Sequence, residues 1–204
     1  MLRVFVAEDG SHGNPLGVVL DGPSVPPERR QPLAAELGFS ETVFVDDRER
    51  GLIRIFTPGA EIDFAGHPSV GTAWLLHADV LRPPAGEVPV RHDGELTWIA
   101  GRPEWAPPFE HVQLDSSEEV DAYDVPAAGL AAVWAWESDG RVRSRVFPVD
   151  LGIDEDEATG AAAVRLGALL GREFEIRQGA GSLIHVRPGA DGTVEIGGRV
   201  VRDT

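Results

Sequence analysis

One structural plan occurs twice in this chain. Residues 53–76 read as a strand, a turn at Pro58-Gly59, a second strand and a glycine-opened helix. Ile62 and Phe64 alternate with Glu61, Asp63 and Ala65, the period of two of a half-buried strand. From Val70 through Ala73, Trp74 and Leu76 the spacing becomes helical, and Pro68 suits the first turn, where its missing N–H costs nothing. Residues 145–170 repeat the plan: Phe147-Pro148 answers Phe56 to Pro58, then a polar loop reaches Thr159-Gly160 and an Ala/Leu helix. A repeat of this size predicts two pseudo-symmetric lobes that point two helix N-termini at a shared cleft. Helix N-termini carry free N–H groups and positive potential, so such a cleft favours a carboxylate.

Around this repeat, strands are expected at 2–7, 16–20, 39–45, 88–92, 95–100, 111–114, 131–136, 142–147, 174–178, 183–187 and 193–197. A helix is expected from Pro26 to Leu37 with Leu33, Ala34 and Leu37 on its buried face and Gly38 closing it. Asp93-Gly94 marks a hairpin turn, Ser116 to Glu119 has capping-box spacing, and Gly197-Gly198 reads as a turn or bulge. The prolines between Arg102 and Pro108 mark the best domain boundary, giving lobes of about 1–104 and 105–204.

Composition removes several chemistries. There is no cysteine, which excludes disulfides, zinc–thiolate sites, iron–sulfur clusters and thiol nucleophiles. A net charge of −16 is repelled by phosphate backbones, so nucleic acid is not an expected partner. No apolar run approaches the ~20 residues of a membrane span, and the opening Met-Leu-Arg-Val-Phe-Val reads as a strand rather than a signal peptide. A cytoplasmic location is the default expectation.

The candidate motifs each carry a plainer reading. Asp154 to Glu157 fails as a calcium loop: from Asp154 the glycine falls at position seven and position twelve is Arg165. These acids suit the first turn of a helix, or place one carboxylate in the cleft. Gly66 lies three residues before Ser69, one too many for a serine-hydrolase elbow. The histidines lack metal-ligand spacing, and His92 and His111 read as surface residues. Glu41 enters an apolar segment and is either solvent-facing or a desolvated acid of raised pKa, with the first favoured by the residues alone. Gly13-Asn14-Pro15 reads as a turn.

Taken together, Gly13-Asn14-Pro15, Leu37-Gly-Phe-Ser-Glu-Thr-Val-Phe44, the run from Phe56 to Ala73 with Gly66-His67-Pro68, and Glu155-Asp-Glu-Ala-Thr-Gly-Ala-Ala162 resemble the PhzF family. The likeness is clear over about residues 2–80 and again over 145–198, with a shortened second lobe. It implies an α+β, diaminopimelate-epimerase-like fold: two lobes, each a curved, mostly antiparallel sheet or barrel around a central helix. It implies an isomerase of secondary metabolism that needs no cofactor and no metal, works as a homodimer, and moves a proton between carbons of a small carboxylate. By the same resemblance Glu41 is the acid/base, with His67 and Asp156 as its catalytic partners. Asn14 and the backbone at Gly66, Thr159, Gly160 and Ala161 would bind the substrate. Two departures, Glu157 where the family has proline and Ala161 where it has serine, motivate an alternative: a catalytically silent binding protein. A weaker third reading is a hydrolase whose Glu41 or Asp156 activates water.

Overall fold

The computed structural model describes residues 1–203. The first half runs β1 (Leu2–Val6), β2 (Asn14–Val19), α1 (Pro27–Leu37), β3 (Thr42–Asp47), β4 (Leu52–Phe56), β5 (Glu61–Ile62), α2 (Gly66–Leu76), β6 (Val80–Leu81), β7 (Val88–Asp93) and β8 (Leu96–Gly101). The second runs β9 (Glu110–Gln113), α3 (Ser117–Asp121), β10 (Leu130–Ser138), β11 (Arg141–Pro148), α4 (Gly160–Leu170), β12 (Phe174–Gln178), β13 (Ser182–Pro188) and β14 (Val194–Arg202). The strands join in the order β5-β4-β3-β2-β1-β14-β13-β12-β11-β10-β9, with β8 hydrogen-bonded to both β14 and β7. Pairing is mostly antiparallel; β2/β3, β9/β10 and β11/β12 are parallel.

The curved sheet wraps two helices. Every residue of α2 from Gly66 to Ala73 is buried, and so is α4 from Gly160 to Val164. Helices with no solvent face can only be central. Their small side chains let strands come close: α2 packs on β1, β2, β8 and β14, and α4 on β13 and β14. By contrast α1 lies at the periphery. Only Ala34 is buried and the expected core residue Leu37 is 42% exposed, although Gly38 closes the helix in left-handed conformation as anticipated.

The last strand differs most from its expected form. β14 pairs with β13 and β8 through Gly198, then continues past 197 and pairs with β1, Leu2 opposite Arg202. Gly197 and Gly198 lie in this strand and form no turn. The Trp98 ring lies against Gly197, and a Cβ on Gly198 would meet the Phe5 ring at 2.5 Å. Only glycine leaves room for both rings. The bulge sits opposite, in β1 at Phe5, which is buried with φ of 65°.

Other local expectations are adjusted slightly. The β7/β8 turn is Gly94-Glu95, one residue later than predicted, because Asp93 pairs with Leu96. Ser116 caps α3 by accepting the Glu119 N–H at 3.2 Å, and the Glu119 carboxylate accepts the Asp115 N–H. His111 is not a free surface side chain: both ring nitrogens are buried without partners, and burial, aided by Arg165, lowers its pKa to about 4. No helix among the described residues is long and apolar enough to cross a membrane.

Candidate active site

The two buried helices meet at their N-termini. A Cβ on Gly66 would lie 2.5 Å from the Gly160 Cα, and one on Gly160 would lie 2.6 Å from the Gly66 Cα. Glycine at both positions is therefore a packing requirement. Neither helix start carries a side-chain cap; Ala65 and Thr159 occupy the cap positions. Two uncapped N-termini, each equivalent to roughly half a positive charge, meet in the interior. Among the described residues no protein acceptor reaches the N–H of Gly66, Gly160 or Ala161, as is usual for the first N–H groups of a helix.

Three ionisable groups surround this junction. Asp156 precedes α4, His67 is the second residue of α2, and Glu41 ends the irregular segment between α1 and β3. Glu41 lies just before its strand, since β3 begins only at Thr42. Asp156 and His67 are buried, and the Glu41 side chain is 13% exposed, so it alone touches the outside. Glu41 Oε2 and His67 Nε2 are 3.5 Å apart, and neither has another hydrogen-bond partner. Burial, reinforced by the charge of Asp156, raises the Glu41 pKa to about 8. Burial lowers that of His67 to about 3, with the Pro15 carbonyl pulling weakly the other way. At neutral pH the pair is thus a carboxylic acid beside a neutral imidazole, and the short approach is not an ion pair. Burial also raises Asp156, to about 6, against hydrogen bonds from Thr159 and Asn14.

Asp156 is held from both halves of the chain. Its Oδ1 accepts from Asn14 Nδ2 at 2.7 Å and its Oδ2 from the Thr159 hydroxyl at 2.6 Å. Asn14 also donates to the Ala158 carbonyl at 3.0 Å and accepts from the Ser40 hydroxyl at 3.3 Å. The Thr159 N–H donates to Gln178 Oε1 at 3.1 Å. Asn14 and Thr159, expected among the substrate-binding residues, make these protein contacts. Their polar groups are committed to protein partners, and they place Asp156. The turn reading of Asn14 is replaced, since Asn14 begins β2.

Gln178 lies outside the motifs quoted above, and Ser40 stands in one of them without an assigned role. Gln178 had a signal: in β12, Phe174, Ile176 and Gln178 share the buried face, so a polar side chain stands in phase with the apolar alternation. Ser40 had none, because its contact with Asn14 spans 26 residues.

Glu157 is bonded to the 179–182 turn. Its carboxylate accepts the Ala180 N–H at 2.9 Å and the Ser182 hydroxyl at 2.7 Å, while Ser182 Oγ accepts the Gly13 N–H at 3.0 Å. Glu157 therefore ties the loop before α4 to the 179–182 turn and, through Ser182, to the residue preceding Asn14. No group of three or more His, Cys, Asp or Glu side chains among the described residues is placed to hold a metal.

The family model for PhzC-PhzF, phenazine biosynthesis-like protein, matches residues 3–124. Trans-2,3-dihydro-3-hydroxyanthranilate isomerase from Pseudomonas fluorescens is 31% identical over 82% of this chain and 77% of its own length. The chain belongs to the PhzF family. The enzyme of the same name from Pseudomonas chlororaphis is 32% identical, again over 82% of this chain and 77% of its own. Among solved structures, a phenazine biosynthesis PhzC/PhzF protein from Clostridium difficile superposes with a TM-score of 0.82 at 23% identity, covering 100% of this chain and 95% of that one. A hydroxyproline epimerase from Agrobacterium vitis superposes at 0.60 with 15% identity, covering 100% and 89%. These likenesses establish the PhzF member's fold as the expected diaminopimelate-epimerase-like one.

Proposed function

We propose that this PhzF-family isomerase moves a proton between two carbons of a small carboxylate-bearing substrate, with Glu41 as the acid/base and no cofactor. The observation that carries the reading is the buried pair Glu41 and His67, each with an unpartnered polar atom, beside two open helix N-termini. A native interior leaves few polar groups unpartnered, and such groups mark places where another molecule completes the bonding.

The chemistry follows from the geometry. The substrate carboxylate accepts from the free N–H groups of Gly66, Gly160 and Ala161. The Glu41 carboxylate takes a proton from one substrate carbon. The C–H electron pair spreads toward the substrate carboxylate, and the oriented N–H groups stabilise that charge. Glu41, now protonated, returns the proton to the second carbon, so no proton or electron is gained or lost overall. Its raised pKa suits both steps, since an acid/base works best when its pKa lies near working pH. His67 remains neutral and orients the Glu41 carboxyl. Asp156 helps hold the proton on Glu41.

The substrate named for the Pseudomonas relatives, a dihydro-hydroxyanthranilate, is a carboxylate of this class. The binding-only alternative, motivated by Glu157 and Ala161, would gain from an exposed Glu41 far from Asp156. A mostly buried Glu41 whose pKa feels the Asp156 charge favours catalysis instead. The test is turnover of candidate carboxylates in D2O. Deuterium at a product carbon supports the isomerase, its absence despite turnover opposes it, and oxygen-18 uptake from water would indicate a hydrolase.

A further inference from the structure

Gln178 is 1% exposed, lies at the end of β12 and reaches toward the start of α4. Its amide orientation is fixed by partners of unambiguous type. Oε1 accepts from a backbone N–H, that of Thr159, at 3.1 Å. Nε2 donates to a backbone carbonyl, that of Asp156, at 2.9 Å, and its second N–H donates to Thr159 Oγ1 at 2.9 Å. The Thr159 hydroxyl, already an acceptor on that side, directs its own proton to Asp156 Oδ2, 2.6 Å away. A second chain arrives from the other half. Asn14 Nδ2 gives one N–H to the Ala158 carbonyl and the other to Asp156 Oδ1. Both Asp156 oxygens therefore receive protons from neighbours, and neither is left to carry its own.

We infer that Gln178 is a positioning residue that fixes the direction of the hydrogen bonds around Asp156 and so assigns the single proton of the two buried carboxyls to Glu41. Glu41 Oε2 can carry the proton: its nearest polar neighbour is His67 Nε2, which accepts it when the neutral imidazole holds its hydrogen on Nδ1. Turning the Gln178 amide over would set its Oε1 against the Asp156 carbonyl and its Nε2 against the Thr159 N–H. Both contacts repel, so the orientation has no competitor. The other charged groups near Asp156 are His67 on α2, Glu157 on the same loop and the Arg145–Glu155 pair beside β11. The Glu157 carboxylate is held by the Ala180 N–H and the Ser182 hydroxyl, and its charge adds to the upward push on Asp156. The proton assignment stands on hydrogen-bond geometry; only its catalytic consequence rests on the isomerase reading.

The experiment is a carbon-13 NMR titration of the side-chain carboxyls, assigned with Glu41→Gln and Asp156→Asn. In the wild-type protein Asp156 is expected to be ionised and Glu41 protonated at neutral pH. In Gln178→Met, which keeps the volume and removes the polar atoms, the Thr159 hydroxyl can rotate away. The Asp156 transition then moves up by about one unit, a tenfold gain in proton affinity, and that of Glu41 moves down. A folded Gln178→Met protein in which Asp156 titrates as in the wild type would overturn the inference. If that variant does not fold, neutron diffraction of the wild-type protein decides: a deuteron on Thr159 Oγ1 aimed at Asp156 supports it, and one on Asp156 itself overturns it. No substrate is needed for either readout. Failure of the isomerase reading would appear separately, as an active Glu41→Gln enzyme.

Discussion

Glu41 Oε2 and His67 Nε2 lie 3.5 Å apart in the interior, and neither finds another partner. An acid and an imidazole brought together in water would form an ion pair. Here burial pushes the acid up and the imidazole down, so both stay neutral. Glu41 is thus protonated beside the two open helix N-termini, and the proposed proton abstraction begins only once that proton has left.

Replacing Glu41 by glutamine keeps the shape and removes the proton exchange. Turnover should fall by about 10²- to 10⁴-fold, the usual contribution of a positioned acid/base. Circular dichroism should remain that of the wild type. Activity within a few-fold of wild type would remove Glu41 from the mechanism.

The pH profile has a definite sign. In the proposed mechanism the carboxylate form of Glu41 removes the proton, and its pKa in the free enzyme is about 8. The value of kcat/KM should therefore rise with pH and level off above that point. His67 titrates at about 3 and adds no limb in this range. A flat profile between pH 6 and 9 would contradict the assignment; this window follows from the ~8 midpoint.

Stability should run the other way. Glu41 moves from 4.5 in the unfolded chain to about 8 in the native one, and Asp156 from 3.8 to about 6. Between those values the native state holds protons that the unfolded chain has released. Stability from these groups is fully present below the unfolded values and is lost as pH rises through the folded ones. Burial moves His67 and His111 the other way, from 6.5 to about 3 and about 4, which offsets these groups below about pH 6.5, so the net fall in denaturant midpoint should appear as pH rises from there to about 8, and Glu41→Gln should flatten it.

Gly160→Ala tests the helix junction. Its new methyl would sit 2.6 Å from the Gly66 backbone, which cannot rotate aside. Overpacking of this kind costs about 1–3 kcal/mol, and binding of any carboxylate should weaken as the N-termini separate. Thermal melting and ligand titration report the two effects. An unchanged melting temperature would mean that the helices have room to part.

Glu157→Ala separates two roles for that carboxylate. As a tether it accepts from Ala180 and Ser182, so its loss leaves donors unpaired at a cost of about 1–3 kcal/mol. As a charge repelling the substrate, its removal would tighten binding. The expected outcome is a lower melting temperature with no gain in affinity.

The sequence alone determined the repeated plan, the two glycine-opened helices and the absence of thiol chemistry. Periodicity and punctuation are local: Gly66-His67-Pro68 and Thr159-Gly160 announce helix starts within a few residues. The residues around Glu41 left its role open, and the family resemblance pointed to the trio. Tertiary structure decided the rest. Local pattern ended the last strand at 197, and only pairing with β1 carries it to Arg202. The commitment of Asn14 and Thr159, the inward turn of Gln178 and the tether made by Glu157 join residues 19 to 144 positions apart, except for the local Thr159–Asp156 bond. So does the proton on Glu41, which depends on burial and on a charge from the other half of the chain. Desolvation and hydrogen-bond direction arise from the packed environment, and no single segment carries them.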